Sequence, residues 1–187
     1  SRGYAYLEVN YRGSTGYGRS YRSALCQRWG DIDVEDAVSG GAALGAQGLA
    51  NASRLVIKGG SAGGYTVLNS LVRYPGRFKA GICLFGVSNL FTLDLDTHKF
   101  EAHYTASLVG HLPEAAARYH AWSPVFHAAA IRDALYVFQG SEDRVVPPSQ
   151  SEEIVAALKR SGVTHQYRLY PGEGHGFRKS ENIADYL

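Results

Sequence analysis

At 187 residues the chain has one domain's length, enough to bury a core. With 45% apolar and 19% charged residues it reads as globular. A net charge of +2 gives no electrostatic footprint for nucleic acid or an anionic membrane, no run reaches the roughly 18 apolar residues of a membrane span, and nothing at Ser1 reads as a signal peptide.

In chain order, Tyr4 to Asn10 reads as a strand of apolar and aromatic residues. Asn10 to Gly18 is a glycine-rich loop with neither the Gly-Lys-Ser/Thr of a P-loop nor dinucleotide-fingerprint spacing. The acidic run Asp31-Ile32-Asp33-Val34-Glu35-Asp36 suits the start of a helix over about 33–44, where carboxylates cap free N–H groups and face the positive end of the dipole; this reading is preferred to a metal cluster. Arg54 to Lys58 is a strand that runs into Gly59-Gly60-Ser61-Ala62-Gly63-Gly64-Tyr65, followed at once by a helical pattern ending near Arg73. Lys79 to Phe85 is a near-continuous apolar strand of the kind buried on both faces.

Residues 87–130 form a long polar-aromatic excursion, read as helical in pieces. Its aromatics Phe91, Phe100, Tyr104, Tyr119 and Trp122 suit either a substrate pocket or the core. Ala134 to Phe138 is the next strand, Gln139 to Pro148 a loop, and Ser149 to Arg160 an amphipathic helix closed by a glycine cap at Gly162. Gln166 to Tyr170 is the last strand, Pro171 to Gly176 a loop, and 177–187 a helix. Strands alternating with helices define an α/β fold with a mostly parallel sheet and helices on both faces. Such folds gather functional groups at the carboxyl ends of the strands.

Gly59-x-Ser61-x-Gly63 between a strand and a helix fits a nucleophile elbow. A serine attacks a carbonyl only when its Oγ is thrust out at a sharp turn, and side chains two residues to either side would clash there. Two further loops at strand ends carry Glu142/Asp143 and His175. Nucleophile, acid, histidine is the order of the α/β-hydrolase triad. Asp143 is preferred to Glu142 because it lies deeper in the loop and its side chain is shorter. His165 precedes the last strand and belongs at the other end of the sheet. His98, His103, His111, His120 and His127 fall in the excursion. His98-x-x-Glu101-x-His103 lacks the order of a metal-binding helix face, so neither metal nor cofactor is expected. Arg144 is read as a surface arginine in a turn, with a substrate carbonyl as its alternative. Cys26 and Cys83 are too few for a disulfide framework; Cys83 reads as a buried strand thiol, compatible with a reducing cytoplasmic setting.

Together, Asn10 to Gly18, Trp29-Gly30-Asp31, Gly59 to Tyr65, Gly140-x-x-Asp143 with Val146-Pro147, and Gly174-His175-Gly176 resemble the catalytic domain of the prolyl oligopeptidase family of serine peptidases, nearest to its acylaminoacyl-peptidase and dipeptidyl-peptidase-like members. The resemblance covers nearly the whole chain. It implies Ser61, Asp143 and His175 as the triad, the Ala62 N–H as half of an oxyanion hole, and a peptide or acyl-peptide substrate. It also implies a β-propeller elsewhere in a longer chain, and leaves oligomerisation open. In that family a loop preceding the Asn10 stretch, or a neighbouring tyrosine, supplies the second oxyanion contact, and a strand preceding it lies between residues 4–9 and 54–58. The segment is therefore expected to be a piece of a longer chain, inactive and poorly folded by itself. A carboxylesterase on the same machinery and a non-catalytic binding module of hydrolase fold are the rival readings.

Overall fold

The computed structural model describes residues 3–96 and 102–187. Its elements in order are α1 (Arg19–Ser23), α2 (Ile32–Ala46), β1 (Val56–Gly60), α3 (Ala62–Arg73), β2 (Ala80–Leu84), α4 (Leu90–Asp96), α5 (Ala102–Val109), α6 (Ala116–Trp122), a 3₁₀ segment (Pro124–Ala130), β3 (Ala134–Gly140), α7 (Pro148–Ser161), β4 (His165–Tyr170) and α8 (Ser180–Tyr186).

The four strands are parallel and lie in the order β1-β2-β3-β4. Gly60 pairs with Leu84, Leu84 with Phe138, and Gly140 with Tyr170, so the four strands end side by side. α3 and α7 cover one face. Between them and the sheet lies a core that includes Val67, Leu68, Leu71, Cys83, Leu135, Val137, Ile154 and Leu158. Fully burying a leucine such as Leu158 contributes about 1.5–3 kcal/mol relative to leaving it exposed. Successive strand residues point to opposite faces. Phe138, next to Val137, therefore faces the other way, where it meets Tyr170 and Tyr186 of α8. A second core joins Trp29, Ile32, Tyr65, Leu90, Val109 and Tyr119, fastening the excursion to α2 and α3.

Several elements differ from the sequence reading. Residues 4–10 carry no strand assignment. Tyr4 and Tyr6 are 78% and 86% exposed, and only Leu7 and Val9 come close to α2, where a side chain at Gly40 would touch them. Alternation and β-propensity make a segment fit for a sheet, but a strand also needs a neighbour to receive its N–H and C=O groups. β1 starts and ends two residues later than the pattern suggested and runs into the elbow itself. α8 starts three residues later, because the Glu173 carboxylate takes the backbone N–H groups of Arg178 and Lys179 just ahead of it.

The acidic run at the start of α2 is committed mainly to ion pairs. Asp31 binds Arg28 (2.7 Å) and Arg73 (3.0 Å), while Glu35 and Asp36 bind Arg12 (3.0 and 2.7 Å). Asp33 accepts a local backbone donor, but it is the Gly30 N–H just ahead of the helix (2.7 Å), and the N-cap residue Asp31 makes no side-chain capping hydrogen bond. The excursion is helical in pieces, as read. Gly162 closes α7 in the left-handed region at φ 67°.

Candidate active site

Ser61 sits between β1 and α3 with φ 56° and ψ −121°, a conformation that L-residues avoid. Its N–H donates to the Leu84 carbonyl (2.9 Å) and its carbonyl accepts from Tyr65 (3.1 Å), so the turn is held from both sides. A Cβ at Gly59 would collide with the backbone of Gly63, which accounts for the glycine before the serine; a Cβ at Gly63 would meet nothing within 4 Å, so the clash expected on that side falls instead at Gly64, against Gly86. Tyr65 anchors the helix behind it. Its ring lies 4.2 Å from that of Trp29, and its hydroxyl donates to the Trp122 carbonyl at 2.9 Å. Thr66 donates to the buried Asp33 carboxylate at 2.6 Å.

The loops after β3 and β4 bring two further groups to this serine. His175 Nε2 is 2.9 Å from Ser61 Oγ, and His175 Nδ1 is 2.8 Å from Asp143 Oδ2. Asp143 is 4% exposed; Glu142 beside it is exposed, as is Arg144. The other Asp143 oxygen, Oδ1, accepts the N–H groups of Val145 and Val146, both at 2.9 Å, and Gln139 Nε2 approaches Oδ2 at 3.3 Å. Gln139 is itself fully buried and fixed by the Ser151 hydroxyl (2.7 Å). Backbone donors and an amide thus stabilise the carboxylate and fix its orientation before it meets the imidazole.

With Nε2 accepting from Oγ–H, Nδ1 carries the proton that it donates to Asp143. That tautomer makes His175 a base toward Ser61. Ala62 opens α3, and the first N–H groups of a helix lack intrahelical partners and sit at the positive end of its dipole. That end of α3 lies beside Oγ, where an oxyanion would form.

Sequence reasoning did not single out Phe85. It follows β2 with φ 39°, its N–H donates to the Phe138 carbonyl (2.7 Å), and its ring lies 4.7 Å from the His175 ring and 5.2 Å from Phe177. It therefore walls the imidazole on one side, and only its place just beyond an apolar strand hinted at it. Gln139 had a better signal, a polar residue inside an apolar strand. Tyr119 is buried in the second core and packs on Phe91 at 5.3 Å; Trp122 is partly buried against the same cluster. Phe100, His98 and Glu101 lie outside the described residues, as do the side chains of Tyr104 and His103. His165 lies at the start of β4, away from the site, bonded to the Val163 carbonyl. Among the described residues no group of three or more metal-binding side chains comes together. No helix among them is long and apolar enough to cross a membrane. Cys83 lies in β2 as read, its thiol pushed up to about 12 by burial, so it is no rival nucleophile.

A parallel sheet with a serine elbow at the end of one strand, and an acid and a histidine at the ends of two others, defines an α/β-hydrolase. The chain belongs to the prolyl oligopeptidase family, which matches residues 1–187. It is 34% identical to dipeptidyl aminopeptidase BIII of Pseudoxanthomonas mexicana, over 97% of this chain and 27% of that protein. It is 31% identical to the acylamino-acid-releasing enzyme of Arabidopsis thaliana, over 94% of this chain and 24% of that one. Among solved structures, a puromycin-hydrolyzing peptidase of Mycobacterium tuberculosis superposes with a TM-score of 0.92 at 43% identity, covering 95% of this chain and 27% of that chain. The chain therefore spans about a quarter of the length of these relatives.

Proposed function

We propose that these residues form the catalytic part of a serine peptidase that cleaves short peptides or blocked N-terminal residues through an acyl-enzyme. The observation that carries this reading is the continuous relay Ser61 Oγ, His175 Nε2, His175 Nδ1, Asp143 Oδ2, with both links under 3 Å. His175 takes the Oγ proton as Ser61 adds to the substrate carbonyl carbon. Asp143 holds the ring and stabilises the imidazolium, while the Ala62 N–H faces the carbonyl oxygen as it becomes negative. Collapse of the tetrahedral species breaks the C–N bond, and His175 returns the proton to the departing amine. Water, deprotonated by the same imidazole, then releases the acyl group and restores Ser61.

Peptidase names among the relatives support peptides over esters as substrates. Their roughly fourfold greater length leaves room for a substrate-filtering domain such as a β-propeller in the complete polypeptide. A second oxyanion donor would come from chain outside these residues.

The test is labelling of the complete natural polypeptide with a fluorophosphonate, with Ser61→Ala as the control. Stoichiometric labelling of wild type and none of the variant is the outcome the reading requires; an unlabelled wild type would sink it. Comparing kcat/KM for an aminoacyl anilide and a short-chain p-nitrophenyl ester then tests the substrate class. Ester turnover without anilide turnover would make the protein an esterase.

A further inference from the structure

Glu173 stands two residues before His175 and is 2% exposed, yet it forms no salt bridge among the described residues. Its carboxylate instead gathers donors from the far side of the histidine. Oε1 accepts the Lys179 N–H (2.9 Å) and the Asn182 side-chain amide (2.7 Å), and Oε2 accepts the Arg178 N–H (3.0 Å). The Asn182 hydrogen bond, helped by those two N–H groups and the charge of Lys179 and opposed by burial, holds the carboxyl below its ordinary range, so it is ionised at neutral pH. The main chain of Glu173 faces the other way. Its carbonyl accepts the N–H of Glu142, the neighbour of Asp143, at 2.8 Å. A Cβ at Gly140 would collide with the Glu173 and Gly174 carbonyls, so the acid loop and the histidine loop lie backbone on backbone. Between these attachments the loop contains Gly174 and Gly176, which have no side chains to anchor it.

We propose that Glu173 is the positioning residue for His175, a claim that rests on the serine-hydrolase reading above. One buried carboxylate closes the loop across the histidine, while the carbonyl of the same residue fixes that loop to the one bearing Asp143. A side chain that touches neither Asp143 nor Ser61 thereby sets how the loop presents Nδ1 and Nε2, alongside the packing of Phe85 on the imidazole and the Gly172 N–H donated to Ser141 Oγ (2.9 Å). A residue that merely caps α8 would support stability alone. A positioning residue changes how well each folded molecule reacts.

The test is Glu173→Gln in the complete natural polypeptide, which keeps the shape but turns an amide donor toward N–H donors, with Asn182→Ala as a milder second variant. Active sites are counted by fluorophosphonate titration, and kcat is expressed per titrated site. Because a displacement of about 1 Å can cost on the order of 100-fold, Glu173→Gln is expected to lower kcat per site by roughly 10- to 100-fold with KM nearly unchanged, and Asn182→Ala by a few-fold. An unchanged kcat per site, with only the titratable fraction reduced, overturns the proposal. If Glu173→Gln fails to fold, Asn182→Ala decides by the same criterion. If wild type itself neither labels nor turns over, the hydrolase reading falls, and amide hydrogen exchange decides the structural half. Faster exchange across 172–177 in Asn182→Ala, with 59–65 unaltered, supports the clamp; unaltered exchange at 172–177 overturns it.

Discussion

The rim at the carboxyl ends of the strands is packed backbone on backbone, whereas residues 4–10 lie with nearly every side chain exposed. At the rim, Gly59 meets Gly63, Gly140 meets the histidine loop, and Phe85 bends into a conformation that places its ring on the imidazole. At residues 4–10, Leu7 and Val9 approach α2 and the Asn10 carbonyl accepts the Tyr21 hydroxyl at 2.8 Å. The difference separates two requirements of acyl transfer. The proposed proton relay draws on loops after three strands of one continuous sheet, where Ser61, His175 and Asp143 lie within hydrogen-bond distance of one another in series. In the proposed mechanism the oxyanion also needs donors, of which the Ala62 N–H at the elbow would be one.

The strongest attack on that contrast is at the nucleophile. Ser61→Ala is expected to lower kcat by about a millionfold while leaving the fold intact, as loss of a triad serine does elsewhere; anilide turnover and the thermal midpoint together check it. Asp143→Asn should cost about 10⁴-fold in kcat with little change in KM, since an amide cannot stabilise imidazolium and invites the wrong tautomer. A loss under tenfold would show that the Nδ1 hydrogen bond is dispensable. Gly59→Ala tests the backbone packing itself. It should destabilise by about 1–3 kcal/mol as the Gly63 backbone gives way, measured by urea denaturation, and should lower kcat at the same time.

A pH prediction follows from the link between α2 and the end of α3. Burial pushes the Asp31 carboxyl upward, but the hydrogen bonds and charges of Arg28 and Arg73 outweigh it and bring the group below its usual range. A carboxyl lowered in the folded state contributes stability above its unfolded pKa and loses it as pH falls through the folded one. Arg73→Ala should therefore reduce stability at neutral pH and flatten its decline on the acid side, read from denaturation midpoints between pH 7 and 3. At the other pole, Tyr6→Ser in the exposed segment should shift stability by less than about 0.5 kcal/mol. A larger loss would mean that residues 4–10 are bound more firmly than their exposure implies.

What could be read from the sequence divides along the same line. The elbow was legible because its constraint is local: Gly59 has no room for a side chain beside the turn that carries the serine, although Gly63 has space for one and the second crowded position is Gly64, against Gly86. Asp143 and His175 were legible because strand–helix alternation places their loops at one end of the sheet whatever the distances turn out to be. Residues 4–10 misled because propensity is a property of the segment while pairing is a property of its neighbour. Phe85 and Glu173 were missed for a related reason. One is strained and the other buried only once three separate loops have met, and no spacing in the sequence encodes that meeting. The commitment of Glu35 and Asp36 to Arg12, some two dozen residues away, is another contact that a local capping pattern could not reveal.

The central claim is that Ser61 becomes acylated with His175 as its base. The most direct test is mass spectrometry of the complete natural polypeptide, quenched with acid during turnover of a p-nitrophenyl ester. The relay predicts one acyl group on the peptide containing Ser61 in wild type, and its loss in His175→Ala. Acyl transfer to any other residue, or undiminished acylation of Ser61 in His175→Ala, would contradict it.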